Sequence, residues 1–121
     1  ALARLAQHLA PGVLIHTPYG ATESLPVADI GHVEALEVRD QAPPSLRGVC
    51  VGQPVPGMRV ELVEIHDQPI SRWTDDLAIP ANTLGEIAVH GPVVSQSYFG
   101  QERADTLAKI ADGSRRWHRM G

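Results

Sequence analysis

Glycine and proline interrupt this chain at short intervals, with eleven glycines and ten prolines among its 121 residues. Both residue types end helices and favour turns. We therefore expect short strands joined by loops, and not a bundle of long helices. A chain of this length forms one domain at most, or a part of one.

Charge and cysteine content exclude several classes of protein. A formal net charge of −4 gives no electrostatic basis for binding nucleic acid or an anionic membrane surface. The sequence contains no apolar run as long as a membrane span, so we expect no integral membrane segment. The single cysteine, Cys50, excludes an intrachain disulfide, and its place between two valines predicts a buried side chain. These features are typical of a cytoplasmic protein.

Hydrophobic spacing predicts a short α/β segment before residue 40. Apolar residues at helical spacing predict an amphipathic helix over residues 2–10. The continuous apolar run at 13–15 predicts a strand buried on both faces, as in a parallel sheet. Asp29 is expected to cap a second helix, and residues 39–48 are expected to form a linker or surface loop. The strand at 13–15 would be exposed without partner strands, and we expect it to promote self-association.

After residue 40 the pattern changes to that of an antiparallel sheet. Residues 58–63 and 86–90 alternate apolar and polar side chains with a period of two, which predicts two strands. A helix is predicted at about 101–110, and a last strand around 117–120. The chain is therefore expected to be α+β, with an α/β edge followed by a small, mostly β subdomain.

The most informative chemistry lies in residues 19–23, a tyrosine, a glycine, an alanine, a threonine and a glutamate. An aromatic ring can stack on a purine, and a glycine allows the backbone to approach a ligand closely. A threonine hydroxyl can donate to a phosphate oxygen, and a glutamate is a hard oxygen ligand for Mg²⁺. A plain polar turn is the alternative interpretation, because a match of five residues also arises by chance.

The same five residues resemble the Y-G-x-T-E motif of the AMP-forming acyl/aryl synthetase superfamily, which includes acyl-CoA synthetases, adenylation domains and luciferases. Residues 51–60, 84–98 and 118–121 resemble three further motifs of that family, in the family's order. Three positions depart from these motifs, namely Ser97, His118 and Met120, where the family has glycine, tyrosine and threonine. Within the family, the chain looks most like the bacterial β-lactone synthetases of long-chain olefin biosynthesis.

This resemblance implies a fold and a function. It implies an internal fragment, with residues 1–40 as the C-terminal edge of the α/β nucleotide-binding subdomain. Residues 41–121 would form a small, antiparallel, distorted β-barrel-like subdomain, cut before the ribose-binding Asp. The implied reaction uses ATP and Mg²⁺ to convert a long-chain β-hydroxy carboxylic acid to an acyl-AMP, which then closes to a β-lactone. The alternatives are a fragment of an acyl-CoA or fatty acyl-AMP ligase, and a self-contained, non-catalytic β-rich binding module.

The resemblance also assigns roles to residues 19–23. Tyr19 would face adenine and Thr22 the α-phosphate, while Gly20 and Ala21 would border the acyl carboxylate with their backbone. Glu23 would bind the Mg²⁺, which makes Thr22 and Glu23 the expected catalytic residues. The family's phosphate loop and the catalytic lysine of its lid do not occur in these 121 residues. We therefore expect the isolated chain to be inactive.

Overall fold

The computed structural model describes residues 2–43 and 48–121, and it has an α+β architecture with two antiparallel sheets. The helices are short, as the frequent glycines and prolines require. They are α1 (Leu2–Ala6), α2 (His32–Gln41) and α3 (Glu102–Ala108), with one further turn of 3₁₀ helix at Asp75–Leu77. Within the described ranges, no helix has the length and apolar character needed to cross a membrane.

The first sheet has three strands in the order β1 (Tyr19–Ala21), β2 (Ser24–Asp29) and β3 (Gln53–Pro54). Strands β1 and β2 form a hairpin in which Ala21 pairs with Ser24, so Thr22 and Glu23 are the two residues of its turn. Strand β3 pairs with the far end of β2. The Y-G-x-T-E residues therefore lie on a β-hairpin and its tip, where the sequence predicted a polar loop.

The second sheet has four strands in the order β4-β5-β7-β6. They are β4 (Arg59–Val63), β5 (Glu86–His90), β6 (Lys109–Asp112) and β7 (Arg115–Arg119). The strands predicted at 58–63, 86–90 and 117–120 are confirmed, since period-two alternation suits a sheet that packs side chains on its faces. Strand β6 was not predicted, because its residues continue the helical pattern of the preceding segment.

Two hydrophobic clusters cover the two faces of the second sheet. One contains Trp117 and Trp73, whose rings stack with centroids 3.8 Å apart. The other lies between the two sheets and includes Val27 of β2 and Val89 of β5. Neighbouring residues on β5 face opposite clusters, and both Ala88 and Val89 are fully buried. This second cluster holds the β1–β2 hairpin against the four-stranded sheet.

The buried strand predicted at 13–15 is wrong. Val13 and Leu14 are 46% and 62% exposed, and the described residues provide no strand ladder for them. The nearest backbone pairing is a single antiparallel bridge between His16 and Gly31. A parallel strand needs neighbouring strands and a covering layer on each face. Neither is provided within the described ranges, so this apolar run follows the surface.

Four smaller expectations also need correction. The first helix ends at Ala6 and not at residue 10. Asp29 is the last residue of β2, and the cap position of α2 is occupied by Gly31. Cys50 is exposed and not buried between its valines. The linker predicted at 39–48 overlaps α2 up to Gln41, and its residues 44–47 lie outside the described residues.

Candidate functional site

The tip of the β1–β2 hairpin brings the Y-G-x-T-E residues to one edge of the molecule. Tyr19 is half-buried against the cluster between the sheets. Thr22 is exposed and Glu23 is partly exposed. Position 20 requires a glycine for a structural reason, because a Cβ there would clash with the Ser24 carbonyl oxygen. The glycine is thus required by the hairpin, whatever ligand lies beside it.

Glu23 is held at three points. Its Oε1 accepts a hydrogen bond from the Tyr98 hydroxyl at 2.9 Å, and its Oε2 accepts one from the Thr22 hydroxyl at 2.8 Å. Its main-chain oxygen accepts the Ser95 N–H at 2.8 Å. The hydrogen bonds from Thr22 and Tyr98 lower the pKa of the Glu23 carboxyl. The side chain is therefore a carboxylate at neutral pH, held in one orientation.

Tyr98 is the donor that links this carboxylate to the second half of the chain. Burial, and then the hydrogen bond to Glu23, raise the pKa of Tyr98 to about 12. The phenol therefore keeps its proton at neutral pH and remains a donor. Its main-chain N–H donates to Asp105 Oδ1 at 2.8 Å, which anchors the segment to α3.

Two buried basic side chains lie behind Tyr98 and Ser95. Lys109 is 5% exposed, and its Nζ donates to the Ser95 carbonyl oxygen at 2.8 Å and to Ser95 Oγ at 2.9 Å. His118 is 3% exposed and pairs with Lys109 in the register of β6 and β7. Burial, and then the Lys109 ammonium, lower the pKa of His118. The imidazole is therefore neutral at neutral pH, beside a charged lysine.

The donor set at the hairpin tip suits a nucleotide-bound magnesium ion better than a metal site built by protein alone. Within residues 2–43 and 48–121, no three His, Cys, Asp or Glu side chains are grouped so that they could hold a metal ion. Glu23 offers a single ionised carboxylate. Mg²⁺ in nucleotide complexes takes one or two protein carboxylates, with phosphate oxygens and water completing its shell. Glu23 therefore fits the magnesium of such a complex.

Sequence reasoning identified the hairpin residues but missed those that hold them. Tyr98 and His118 were noted as parts of motifs, without a role at the site. Ser95 and Lys109 were given no role either, because Ser95 contacts the hairpin across a large separation along the chain and Lys109 acts through Ser95 and Tyr98. The family motifs at residues 84–98 and 118–121 are the signal that could have pointed to side chains close to the first motif.

The chain is similar in sequence to parts of longer proteins. No protein-family model matches it. An olefin beta-lactone synthetase of Stenotrophomonas maltophilia is 43% identical over 110 residues, which cover 87% of this chain and 20% of that protein. A long-chain-fatty-acid–CoA ligase of Thermus thermophilus is 27% identical over 103 residues, which cover 84% of this chain and 18% of that protein. The chain thus spans about one fifth of the length of these relatives.

One solved structure shows the fold. The crystal structure of CmiS6 superimposes with a TM-score of 0.62 at 20% sequence identity. The match covers 92% of this chain and 24% of that one. Because it covers nearly all of this chain, the arrangement of the two antiparallel sheets is shared with part of a longer protein.

Proposed function

We propose that this chain, which belongs to the AMP-forming acyl/aryl synthetase superfamily, carries part of the ATP site of an adenylate-forming enzyme. The observation that supports this best is the Glu23 carboxylate. It is ionised, partly exposed and fixed at the hairpin tip by Tyr98 and Thr22. Four family motifs in the family's order give independent support.

The proposed roles follow from the positions on the hairpin. The Tyr19 ring would stack on adenine, and the hydroxyl of the exposed Thr22 would donate to the α-phosphate. The backbone of Gly20 and Ala21 would border the acyl carboxylate. Glu23 would hold the Mg²⁺, which neutralises phosphate charge when it is bound. Thr22 and Glu23 are thus the residues that we propose as catalytic.

The proposed reaction is the attack of a carboxylate on the α-phosphorus of ATP. A P–O bond forms to the acid, the bond to pyrophosphate breaks, and an acyl-AMP results. The relative with 43% identity is named for β-lactone formation, which supports a long-chain β-hydroxy acid as the substrate. The substrate's own hydroxyl would then attack the acyl carbon, lose its proton and expel AMP. The ligase relative supports an acyl-CoA or acyl-AMP product as the second candidate.

The division of the chain at about residue 40 is also a proposal. Residues 1–40 would belong to the α/β nucleotide-binding subdomain, and residues 41–121 to the β-rich subdomain. The cluster between the two sheets would then join the two subdomains. Because the chain spans about one fifth of its relatives' length, we expect the isolated 121 residues to lack activity.

The proposed function is tested by replacing Glu23 in the longer protein that it implies. We expect Glu23→Ala to reduce ATP–pyrophosphate exchange about a hundredfold or more, because the phosphates lose the ligand of their counter-ion. Binding of the β-hydroxy acid, measured by calorimetry, should survive, since Mg²⁺ acts on the phosphates and not on the alkyl chain.

The matched control is Glu64→Ala, which removes an exposed carboxylate just after β4. It should leave exchange unchanged. Near-normal exchange by Glu23→Ala at ordinary Mg²⁺ concentrations would show that Glu23 is not the magnesium ligand. If the unmodified protein shows no exchange with any acid, the non-catalytic binding module replaces the enzyme.

A further inference from the structure

Lys109 makes its direct contacts with a single segment of the chain. Its ammonium donates to the carbonyl oxygen and to the hydroxyl of Ser95, and it lies 5.2 Å from the centroid of the Tyr98 ring. An ammonium has three donors. Two of these reach oxygen atoms, and the face of an aromatic ring offers a favourable place for the remaining charge. The whole group therefore interacts with residues 95–98.

These two partners of Lys109 are the same residues that hold Glu23. The Ser95 N–H donates to the main-chain oxygen of Glu23, and the Tyr98 hydroxyl donates to its carboxylate. One residue fixes the backbone of the hairpin tip, and the other fixes the side chain. Lys109 thus lies behind both anchors without touching Glu23 itself.

A packing role alone does not account for a lysine at this position. Removing an ammonium from water is costly, and burial lowers the pKa of Lys109. None of the ion pairs among the described residues includes it. An uncharged side chain of similar length would fill the space at lower cost. The nearby charges of Glu23 and Asp105 offset part of this cost. The direct contacts of the ammonium all go to the segment from Ser95 to Tyr98.

We propose that Lys109 is a positioning residue, which orders residues 95–98 so that Ser95 and Tyr98 hold Glu23 at the hairpin tip. The positioning itself is independent of any ligand. Its consequence for catalysis rests on the proposed function, in which Glu23 binds the magnesium of ATP.

Nitration of Tyr98 tests the positioning without any activity assay. The chain has only two tyrosines, so a Tyr19→Phe background leaves Tyr98 as the single target. Tetranitromethane attacks an accessible phenolate, so its rate at a fixed pH of 8 reports how well the Tyr98 hydroxyl is protected. In the unmodified chain the ring is half-buried and its hydroxyl donates to Glu23. If Lys109→Met releases the segment, this protection is lost, and we expect at least a tenfold increase in the nitration rate.

The direction of this change separates positioning from charge. Losing a nearby cation would by itself destabilise the phenolate and slow nitration. Faster nitration therefore requires that the Tyr98 ring has become less buried or has left its contact with Glu23. Either change means that the segment has moved. An unchanged or slower rate overturns the proposal. Arg116→Met is the matched control, because it removes an exposed cation from β7, and it should leave the rate unchanged. Lys109→Arg should restore part of the protection.

Two further measurements keep the test decisive. If Lys109→Met fails to fold by circular dichroism, Ser95→Ala replaces it, since it removes the 2.9 Å contact to Lys109 Nζ from a half-buried residue. Severalfold faster nitration is then expected, and an unchanged rate overturns the proposal.

In the longer protein, Lys109→Met should raise the Mg²⁺ concentration for half-maximal adenylation about tenfold and leave the KM for the acid unchanged. An unchanged Mg²⁺ requirement would overturn the catalytic consequence of the positioning. If the unmodified protein does not adenylate any acid, the proposed function fails, and nitration still decides the role of Lys109.

Discussion

At the scale of single residues, the site depends on which neighbouring groups carry charge. Lys109 and His118 face each other across β6 and β7, and both are almost completely buried. His118 Nδ1 is buried and has no hydrogen-bond partner among the described residues. A second positive charge there would lie beside the first in a region that excludes water. The fold therefore requires a neutral His118.

This requirement predicts a pH dependence of stability. The pKa of His118 is lowered in the folded state, so below pH 6.5 the unfolded chain binds more protons than the folded one. The contribution of His118 to stability is thus fully present above pH 6.5, and it should fall as the pH is lowered from there by up to about 1.4 kcal/mol per unit. Urea unfolding between pH 7.5 and 5 measures it.

Two variants test whether His118 causes this slope, which is the change in the free energy of unfolding with pH. His118→Leu should flatten it, because the titrating imidazole is removed. His8→Gln replaces an exposed histidine and should not change the slope. An equal slope in the unmodified chain and in His118→Leu would show that other groups cause the loss of stability.

At the scale of elements, the first sheet depends on a close approach of two backbones. Gly52 precedes β3 with a φ of +87°, and a Cβ there would overlap the Asp29 carbonyl oxygen of β2. No other residue type fits this space unless the strands separate. Because β2 carries the hairpin tip, this contact also helps to place Glu23.

A pair of glycine variants isolates that contact. Gly12 has nearly the same φ, +85°, but among the described residues no atom lies within 4 Å of the position that a Cβ would take there. Gly12→Ala should therefore cost only the conformational penalty of about 1 kcal/mol. Gly52→Ala carries the same penalty and a backbone clash, and it should cost about 3 kcal/mol or more. Equal losses in urea unfolding would contradict the close approach.

At the scale of the whole molecule, the first forty residues are the least well covered. Helices α1 and α2 contain no buried residue. Several large apolar side chains there are exposed, namely Leu5, Leu9, Val13, Leu14, Val33 and Val38. An apolar surface of this kind favours contact with other protein surface over contact with water. The predicted self-association therefore remains a prediction, although it would involve an apolar surface and not a strand edge.

Light scattering across a dilution series tests this prediction on the 121-residue chain. We expect the average mass to rise with concentration, because association removes the apolar surface from water. Leu14→Glu should reduce the rise. Leu84→Glu changes a leucine that is 90% exposed in the second half of the chain, and it should have no effect. A concentration-independent monomer would contradict self-association.

Elements whose signals are local can be predicted from the amino-acid sequence. Strand β5 was predicted at the residues where it occurs, Glu86–His90, because alternation and a following glycine-proline pair lie within a few residues of each other. The five residues of the hairpin were identified from their chemistry and from a motif. Their position on a hairpin could not be predicted in this way, since Thr22 and Glu23 lack the glycine or asparagine that usually indicates a two-residue turn.

Which apolar residues are covered, and which polar groups meet, depends on packing between distant parts of the chain. Residues 13–15 have the pattern of a buried strand, yet they are not buried, because burial depends on neighbouring layers and not on the run itself. Tyr98 reaches Glu23 across 75 positions of the chain. Lys109 has the pattern of the end of a helix, but it begins β6 and carries a buried charge. Such contacts arise when two sheets pack together, and no local pattern along the chain encodes them.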